Sequence, residues 1–418
     1  MEKIINDLKR KLNREKALVA CSTGVDSMVL LHLAIKALPI TQIVVAHVNH
    51  QKRLQSEIEE AYIKEFCDER GIKCYVMRLD HIDDGNFQSI ARNKRYKFFE
   101  DIAKKENIKY ILLAHHANDN LETIIMRLLK SSSLKGYGGI EKETIYHNNI
   151  LYRPLLELPK TKIKEYASLN NIEYYEDSSN SELDYTRNRI RHLITPILLE
   201  ENPNLYSAIN YYSQTILSAN EIIEKEEIAF IKDKIMVNNK NDIITYQLSR
   251  QDYLSLSLFM RRQVIFRLLK KYNLSHQCIT EIEKKILSQK TNLVSAITPQ
   301  LALIKEYDTI KFTEESIIPL EYKRIIDKEG IYDLPDNRKV IVSKNNCNFI
   351  TPHKELCYNI ERLPVIIRNR EPGDKIANKL VSDFLTKYKI PYLTKKNILL
   401  LCDEDNKVLA VLGYKGGK

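Results

Sequence analysis

Short apolar runs alternate with longer stretches of helical periodicity through roughly the first 190 residues. Four of the runs are too short for helices and indicate buried strands: Ala17–Ala20, Ile43–Val48, Cys74–Met77 and Tyr110–Ala114. Apolar residues at helical spacing follow each run and predict helices over Met28–Leu38, Glu57–Arg70, Ser89–Glu106 and Leu121–Lys130. Strand–helix alternation of this kind predicts an α/β fold, a doubly wound parallel sheet with ligands at the carboxyl ends of its strands.

The pattern changes after the break at Asn202-Pro203-Asn204, where we place the first domain boundary. Residues 205–300 are mostly long helical patterns, for example Ala208–Lys232 and Tyr253–Leu268. Short strands then take over, with one helix near Val381–Tyr388. The expected organisation is an α/β domain over 1–204, a helical domain over 205–300 and a small α+β domain over 301–418.

A polar loop joins the first predicted strand to the first long helix, with the sequence Cys21-Ser22-Thr23-Gly24-Val25-Asp26-Ser27. Such a loop directs consecutive backbone N–H groups toward one point at a helix N-terminus, which forms an anion site. Three hydroxyl groups add donors, and Gly24 permits a turn that a Cβ would obstruct. Phosphate is the expected ligand, although an ordinary capped strand–helix turn has similar residues.

The residues of the loop exclude two common kinds of phosphate site. It has neither the Lys of a Walker A loop nor the G-x-G-x-x-G pattern of a dinucleotide site. It has Asp26 instead, and an acid among phosphates is repulsive unless a divalent cation bridges the two. The loop therefore implies Mg²⁺ bound at Asp26.

Charge and cysteine usage limit the class of protein. The chain has 418 residues, a formal net charge of +10 and a pI near 9.0, so a polyanionic partner is plausible. Its 7 cysteines are scattered without a C-x-x-C pair, which argues against a disulfide framework or a zinc ribbon. No apolar run approaches the roughly 18 residues that span a membrane, and residues 1–12 do not resemble a signal peptide. We expect a cytoplasmic protein.

Three further polar clusters follow predicted strands or begin helices. The first has His115 and His116 at a strand end, with Asp119 and Glu122 on one helical face. Carboxylates at a helix start are often capping residues, but beside a phosphate loop they suit metal binding, amine binding and proton transfer. The other two clusters are basic. One contains Arg92, Arg95 and Tyr96, and the other contains Arg187, Arg189 and Arg191. Arg187 and Arg191 are like charges one helical turn apart, so they repel unless an anion lies between them.

Together these clusters resemble the tRNA(Ile)-lysidine synthetase family of PP-loop ATP pyrophosphatases. Family motifs recur in the same order, namely S-G-G-x-D-S at 22–27, A-R-x-x-R-Y at 91–96, H-H-x-D-D-Q-x-E-T at 115–123, R-P-L-L at 153–156 and E-D-x-x-N…Y-x-R-N-x-I-R at 176–191. The likeness is good over roughly the first 200 residues, fair over the last 55 or so, and limited between them to helical character. Three positions depart from the family pattern, where Thr23 replaces Gly, Asn118 replaces Asp and Asn120 replaces Gln.

The resemblance implies a Rossmann-like PP-loop domain and a two-step reaction. The wobble cytidine of tRNA(Ile) with a CAU anticodon is adenylated by ATP, and the ε-amine of free L-lysine then displaces AMP to give lysidine. Residue by residue, it implies that the departing pyrophosphate is bound by Ser22, Thr23, Gly24, Val25 and Ser27, with Mg²⁺ on Asp26. It leaves open whether the chain forms a homodimer.

The remaining site residues have roles implied by the same resemblance. Arg92 or Arg95 stabilises the charge that develops on the reacting oxygens. Asp119 binds the lysine amine, with His116 as second candidate and Glu122 in support. Contacts to RNA phosphates or to the anticodon loop are expected from Arg153, Arg187, Arg189 and Arg191. The helical and C-terminal domains are expected to contact the tRNA.

Two alternatives remain at this point. A tRNA thiolation enzyme shares the fold, but such enzymes usually need a catalytic cysteine pair or a cluster-binding C-x-x-C, which this chain lacks. A basic RNA-binding module with a vestigial nucleotide loop would bind tRNA without releasing pyrophosphate. ATP–pyrophosphate exchange distinguishes that module from the enzyme.

Overall fold

The computed structural model describes residues 1–49, 51, 55–79, 87–130, 132–175, 186–240, 242–318, 321–336, 338–344 and 355–416. Contacts between these residues divide the chain into two compact units, Met1–Ile223 and Glu224–Lys418. None of the helices in the described ranges has the length and apolar character that a membrane crossing requires. The division into three domains at 204 and 300 stays a prediction.

The first unit is built on a six-stranded sheet. Its strands are β1 (Ala17–Ala20), β2 (Ile43–Asn49), β3 (Lys73–Arg78), β4 (Tyr110–Leu112), β5 (Glu143–Tyr146) and β6 (Asn149–Tyr152). Their spatial order is β3-β2-β1-β4-β6-β5, and all neighbours are parallel except β5 and β6. The predicted parallel sheet is confirmed. It has in addition an antiparallel edge strand, formed because a tight turn joins β5 to β6.

The described residues of the first unit form the four predicted helices and several others. They are α1 (Glu2–Leu12), α2 (Val25–Ala37), α3 (Gln55–Asp68), α4 (Phe87–Glu106), α5 (Ala117–Lys130), α6 (Leu134–Tyr137), α7 (Lys160–Leu169), α8 (Thr186–Arg189), α9 (Thr195–Glu201) and α10 (Leu205–Lys234), the last continuing past Ile223. A 3₁₀ turn spans Ile40–Gln42, and a π-helical turn, Ile190–Ile194, joins α8 to α9. Helix α5 begins before the predicted Leu121 because the Asp119 carboxylate accepts a hydrogen bond from the His116 N–H and caps the helix start.

Helices cover both faces of the sheet because its strands are apolar on both sides. Successive residues of a strand point to opposite faces. Leu18 of β1 therefore packs in the core that contains Phe99 of α4, whereas Val19 packs with Leu30 of α2 and Ile163 of α7. This two-sided burial confirms the doubly wound α/β class and holds the carboxyl end of β1 in a rigid sheet centre.

The second unit combines antiparallel sheets with short helices. Its strands are β7 (Ile235–Lys240), β8 (Ile243–Ser249), β9 (Asn292–Thr298), β10 (Leu301–Glu306), β11 (Thr309–Thr313), β12 (Lys323–Ile326), β13 (Gly330–Asp333), β14 (Lys339–Ser343), β15 (Glu355–Asn359), β16 (Val365–Asn369), β17 (Lys375–Ile376), β18 (Lys379–Leu380), β19 (Leu399–Cys402), β20 (Val408–Val411) and β21 (Lys415–Gly416). The helices are α11 (Arg250–Ser255), α12 (Leu258–Leu268), α13 (His276–Leu287), α14 (Val381–Lys387) and α15 (Tyr392–Lys396), with a 3₁₀ turn at Lys270–Tyr272. Sheet orders are β7-β8-β11-β10-β9, β12-β16-β19-β20-β21, β13-β14-β15 and β17-β18.

Two features of the second unit differ from the pattern-based expectation. The helix expected over Tyr253–Leu268 is interrupted, because the Ser257 hydroxyl accepts a hydrogen bond from the Met260 N–H and starts α12 there. Strands β7, β8 and β9 were not predicted. Each is only partly buried, so its sequence does not alternate cleanly between apolar and polar residues.

Candidate active site

The loop after β1 occupies the centre of the first sheet. The strand order reverses between β1 and β4, and ligands of open α/β sheets bind in the crevice at such a reversal. The Ser22 N–H donates to Ser27 Oγ at 3.1 Å, and Ser27 Oγ donates to the Gly24 carbonyl at 2.9 Å. Val25 is buried in the core, so only its backbone can serve a ligand. The loop is thus held in shape by its own hydrogen bonds.

Thr23 has a left-handed backbone, with φ of +63°. This is unusual for a β-branched residue, and it is the position where the family pattern has Gly. The side chain is fully buried and its hydroxyl donates to the Ser22 carbonyl. The Thr23 carbonyl accepts from the Tyr175 N–H at 3.0 Å, so the surrounding structure maintains a backbone that Thr itself disfavours.

We expect Thr23→Gly to be more stable than Thr23→Ala by about 1 kcal/mol. Both variants lose the hydroxyl, but only glycine removes the left-handed penalty, and its greater freedom in the unfolded chain cancels part of that gain. Urea denaturation followed by tyrosine fluorescence measures the difference, since the chain has 24 Tyr and no Trp. Equal stability of the two variants would show that Thr23 is not strained.

A cavity of about 250 Å³ lies between this loop and the ends of β2 and β4. Its polar wall contains Ser22, Gly24, Asp26, Ser27, Arg95, His115 and Asp119. Its other wall is apolar and includes Val48, Tyr96, Phe99 and Leu113. A cavity with one apolar wall and a few convergent polar groups suits a ligand that has a flat ring and a charged part.

Asp26 has two side-chain nitrogens near the same oxygen. Lys160 Nζ lies 3.2 Å and His116 Nε2 3.6 Å from Asp26 Oδ2. Burial raises the pKa of Asp26, but hydrogen bonding and attraction from His116 and Lys160 outweigh it, and the net pKa is lowered. The other oxygen, Oδ1, is buried and has no hydrogen-bond partner. Asp26 is therefore ionised with one free oxygen.

The two histidines after β4 differ in their surroundings. His116 is buried, and its Nε2 lies between the carboxylates of Asp26 and Asp119, at 3.6 Å and 3.5 Å. His115 lines the cavity, and burial lowers its pKa to about 4 despite the nearby Asp119. His115 is consequently neutral at pH 7.

Glu122 lies beneath the site and is only 1% exposed. Arg191 binds both of its oxygens, at 2.7 Å and 3.1 Å, and Arg187 Nε lies 3.2 Å away. Both arginines come from the segment that contains the π-helical turn, a feature often found at functional sites. Arg187 and Arg191 lie one helical turn apart and need an anion between them. That anion is the Glu122 carboxylate, a group of the protein itself.

The other predicted arginines lie in three different environments. Arg92 lies over the ring of Tyr96, 4.7 Å from its centre, and Arg95 lines the cavity, where burial lowers its pKa. Arg153 is buried and donates to the Glu141 carbonyl at 2.7 Å and to Thr144 Oγ1 at 3.0 Å. Arg189 is exposed. RNA-binding roles for Arg153 and Arg189 stay predictions.

Sequence reasoning missed Lys160, although it lies against Asp26. Its position in the sequence could have indicated a place in the site, because Lys160 begins α7, the helix that follows β6, and therefore lies at the carboxyl end of the sheet. Asn118, one of the departures from the family pattern, binds the Lys160 N–H and the Tyr206 hydroxyl instead of facing the cavity. The motif residues Glu176–Asn180 and Tyr185 lie outside the described residues.

Comparison with known proteins gives matches over most of the chain. Residues 1–198 match the model of the PP-loop domain. The bifunctional protein TilS/HprT of Listeria innocua is 30% identical, over 96% of this chain and 65% of that protein. The tRNA(Ile)-lysidine synthase of Staphylococcus epidermidis is 30% identical, over 94% of this chain and 91% of the relative.

Among solved structures, the U34-tRNA thiolase NcsA of Methanococcus maripaludis aligns with a TM-score of 0.44 and 19% identity, over 52% of this chain and 78% of that one. The chain spans 65% of the length of the bifunctional relatives and most of the length of the single-function ones. The full-length likeness to the Staphylococcus epidermidis protein and the PP-loop match over the first sheet confirm the resemblance drawn from the motifs. The chain belongs to the tRNA(Ile)-lysidine synthase family.

Proposed function

We propose that the protein joins L-lysine to C2 of the wobble cytidine of a CAU-anticodon tRNA(Ile), in an ATP-dependent reaction that gives lysidine, AMP and pyrophosphate. The observation that supports this most directly is the shared cavity, where the phosphate loop and the Asp119 carboxylate line one volume of about 250 Å³. Such a cavity can hold a nucleotide beside an amine. Family membership supplies the reaction class.

In the first step, the cytosine O2 attacks the α-phosphorus of ATP and pyrophosphate leaves. Loop N–H groups and the hydroxyls of Ser22 and Ser27 bind the departing pyrophosphate, with Thr23, Gly24 and Val25 contributing backbone. Arg95 in the cavity wall and Arg92 nearby stabilise the charge on the reacting oxygens. The apolar wall, which includes Val48 and Phe99, accepts the adenine ring.

Mg²⁺ fits the residues at Asp26. The buried Oδ1 lacks a hydrogen-bond partner, and a carboxylate oxygen is the ligand that Mg²⁺ prefers. Among the described residues no cluster of three His, Cys, Asp or Glu side chains could hold a metal, so phosphate and water would complete the coordination. When bound, the ion would neutralise charge on the diphosphate.

In the second step, the lysine ε-amine attacks C2 and AMP leaves from it. Asp119 binds the amine, and His116 between Asp119 and Asp26 is placed to move a proton. Because Glu122 is bound by Arg187 and Arg191, its part is to keep those arginines beside the site. This supports Asp119 as the residue that contacts the amine.

Binding of the tRNA extends the proposal beyond the cavity. We assign Arg153, Arg187, Arg189 and Arg191 to the anticodon side, and residues 205–300 and 301–418 to separate tRNA-contacting domains. The net charge of +10 is consistent with a polyanionic substrate. ATP and tRNA as substrates place the reaction in the cytoplasm, and a homodimer is compatible with this scheme.

The test is incorporation of labelled lysine into a CAU-anticodon tRNA(Ile) transcript in the presence of ATP and Mg²⁺. We expect one lysine per tRNA, with stoichiometric release of pyrophosphate. A transcript with its wobble cytidine replaced by uridine is the control and should remain unlabelled. Binding of the transcript without pyrophosphate release would instead identify an RNA-binding module.

A further inference from the structure

Lys160 is held at the start of α7 by its backbone rather than by its side chain. Pro159 is the residue before the helix, and the Lys160 N–H donates to Asn118 Oδ1 at 3.0 Å. Asn118 in turn donates to the Tyr206 hydroxyl at 2.6 Å. These bonds fix the Cα of Lys160 beside the phosphate loop and do not involve its side chain, which is bonded to Asp26 Oδ2.

The side chain of Lys160 is 35% exposed, and its contact with Asp26 joins two elements 134 positions apart in the chain. Lys–carboxylate pairs that are this accessible contribute little to stability. The contact therefore adds little to the stability of the fold. It does place an ammonium group at the rim of an anion site.

The loop itself contains no lysine, unlike a Walker A loop, where a lysine reaches the β- and γ-phosphates. Of the arginines near the loop, Arg187 and Arg191 bind Glu122, whereas Arg92 and Arg95 serve the reacting oxygens in the proposed reaction and not the diphosphate. Lys160 is the ammonium group that meets the loop carboxylate. A positive charge at this position can stabilise pyrophosphate, the tetra-anionic leaving group.

We propose that Lys160 is a catalytic residue that binds the diphosphate of ATP, an inference that rests on the proposed function. In the nucleotide-free protein its ammonium group pairs with Asp26 Oδ2. When ATP enters, the ammonium transfers to a β- or γ-phosphate oxygen and releases Asp26 Oδ2. As the bond from the α-phosphorus to the bridging oxygen breaks, that oxygen keeps the electron pair, and Lys160 stabilises the resulting negative charge.

The test compares binding of pyrophosphate, ATP and AMP to the full-length protein by calorimetry, at one saturating concentration of Mg²⁺ for every variant. We expect Lys160→Met to weaken pyrophosphate and ATP binding by about 10- to 100-fold, as for loss of a charge-assisted hydrogen bond, and to change AMP binding less than about 2-fold. Lys160→Arg should recover most of the affinity for pyrophosphate.

Lys162→Met is the matched control, because Lys162 lies on the same helix turn and pairs with the exposed Glu165. Its affinities should equal those of the parent. The Lys160 N–H bond to Asn118 is a backbone contact and persists in every variant, so the thermal midpoints of the variants should agree. Unchanged pyrophosphate binding in Lys160→Met, or an equal loss of AMP binding, would disprove the role of Lys160 but would not affect the proposed function. A parent protein that binds neither ATP nor pyrophosphate would overturn the proposed function as well.

Discussion

Replacing Asp26 with Asn should reduce pyrophosphate release roughly 100- to 1,000-fold at saturating ATP and tRNA. Asn preserves the shape of the side chain but removes the charge that pairs with Lys160. The free, buried Oδ1 also becomes a weaker ligand for a cation or is replaced by an amide nitrogen. Steady-state release of labelled pyrophosphate with a CAU-anticodon transcript measures the loss.

Asp101→Asn supplies the control for this first prediction, because Asp101 is an exposed carboxylate on α4. That variant should release pyrophosphate at the parent rate. Since Lys160 and Asp26 are both partly exposed, loss of their pairing should leave the protein folded, and circular dichroism can verify this. Pyrophosphate release at the parent rate in Asp26→Asn would remove Asp26 from the reaction.

Replacing Asp119 with Asn should separate the two chemical steps. We expect the tRNA-dependent release of pyrophosphate to stay within a few-fold of the parent, while lysine incorporation falls roughly 100-fold and the KM for lysine rises. The reason is that only the second step needs a negative charge opposite the ε-amine. Single-turnover assays with labelled ATP and labelled lysine follow both steps on one sample.

The Asn variant keeps an acceptor oxygen for the His116 N–H, so the start of α5 stays capped. Asp119→Ala provides the comparison, since alanine is also uncharged but has no acceptor for the His116 N–H. Both variants should lose lysine incorporation to the same extent. An equal loss of pyrophosphate release would instead assign Asp119 to the adenylation step.

Four of the six strands of the first sheet could be predicted from local pattern alone. Strands β1, β2 and β4 are mostly buried on both faces and are therefore continuous apolar runs, and the helices that follow them have apolar residues at helical spacing. The loop at Ser22–Ser27 was equally visible, because anion binding by a strand–loop–helix unit depends on residues adjacent in the chain. The candidate positions Asp26, His116 and Asp119 followed from the rule that ligands bind where parallel strands end.

Side-chain partners across the fold could not be predicted in this way. Lys160 meets Asp26 only because β6 lies beside β4 and brings the start of α7 to the loop. Arg187 and Arg191 were expected on RNA phosphates, yet in the structure both contact Glu122. Sequence patterns show that a charge needs a partner, but they do not show which element supplies it.

The sequence by itself determined the α/β class, the phosphate loop and the family, because these depend on local periodicity and on short ordered motifs. Tertiary structure alone decided how the site charges are neutralised, namely Asp26 by Lys160, and Glu122 by two arginines. It also decided the left-handed backbone of Thr23, which the bond from the Tyr175 N–H helps to maintain. Such contacts join residues far apart in the chain, and strand order, not local sequence, sets their distances.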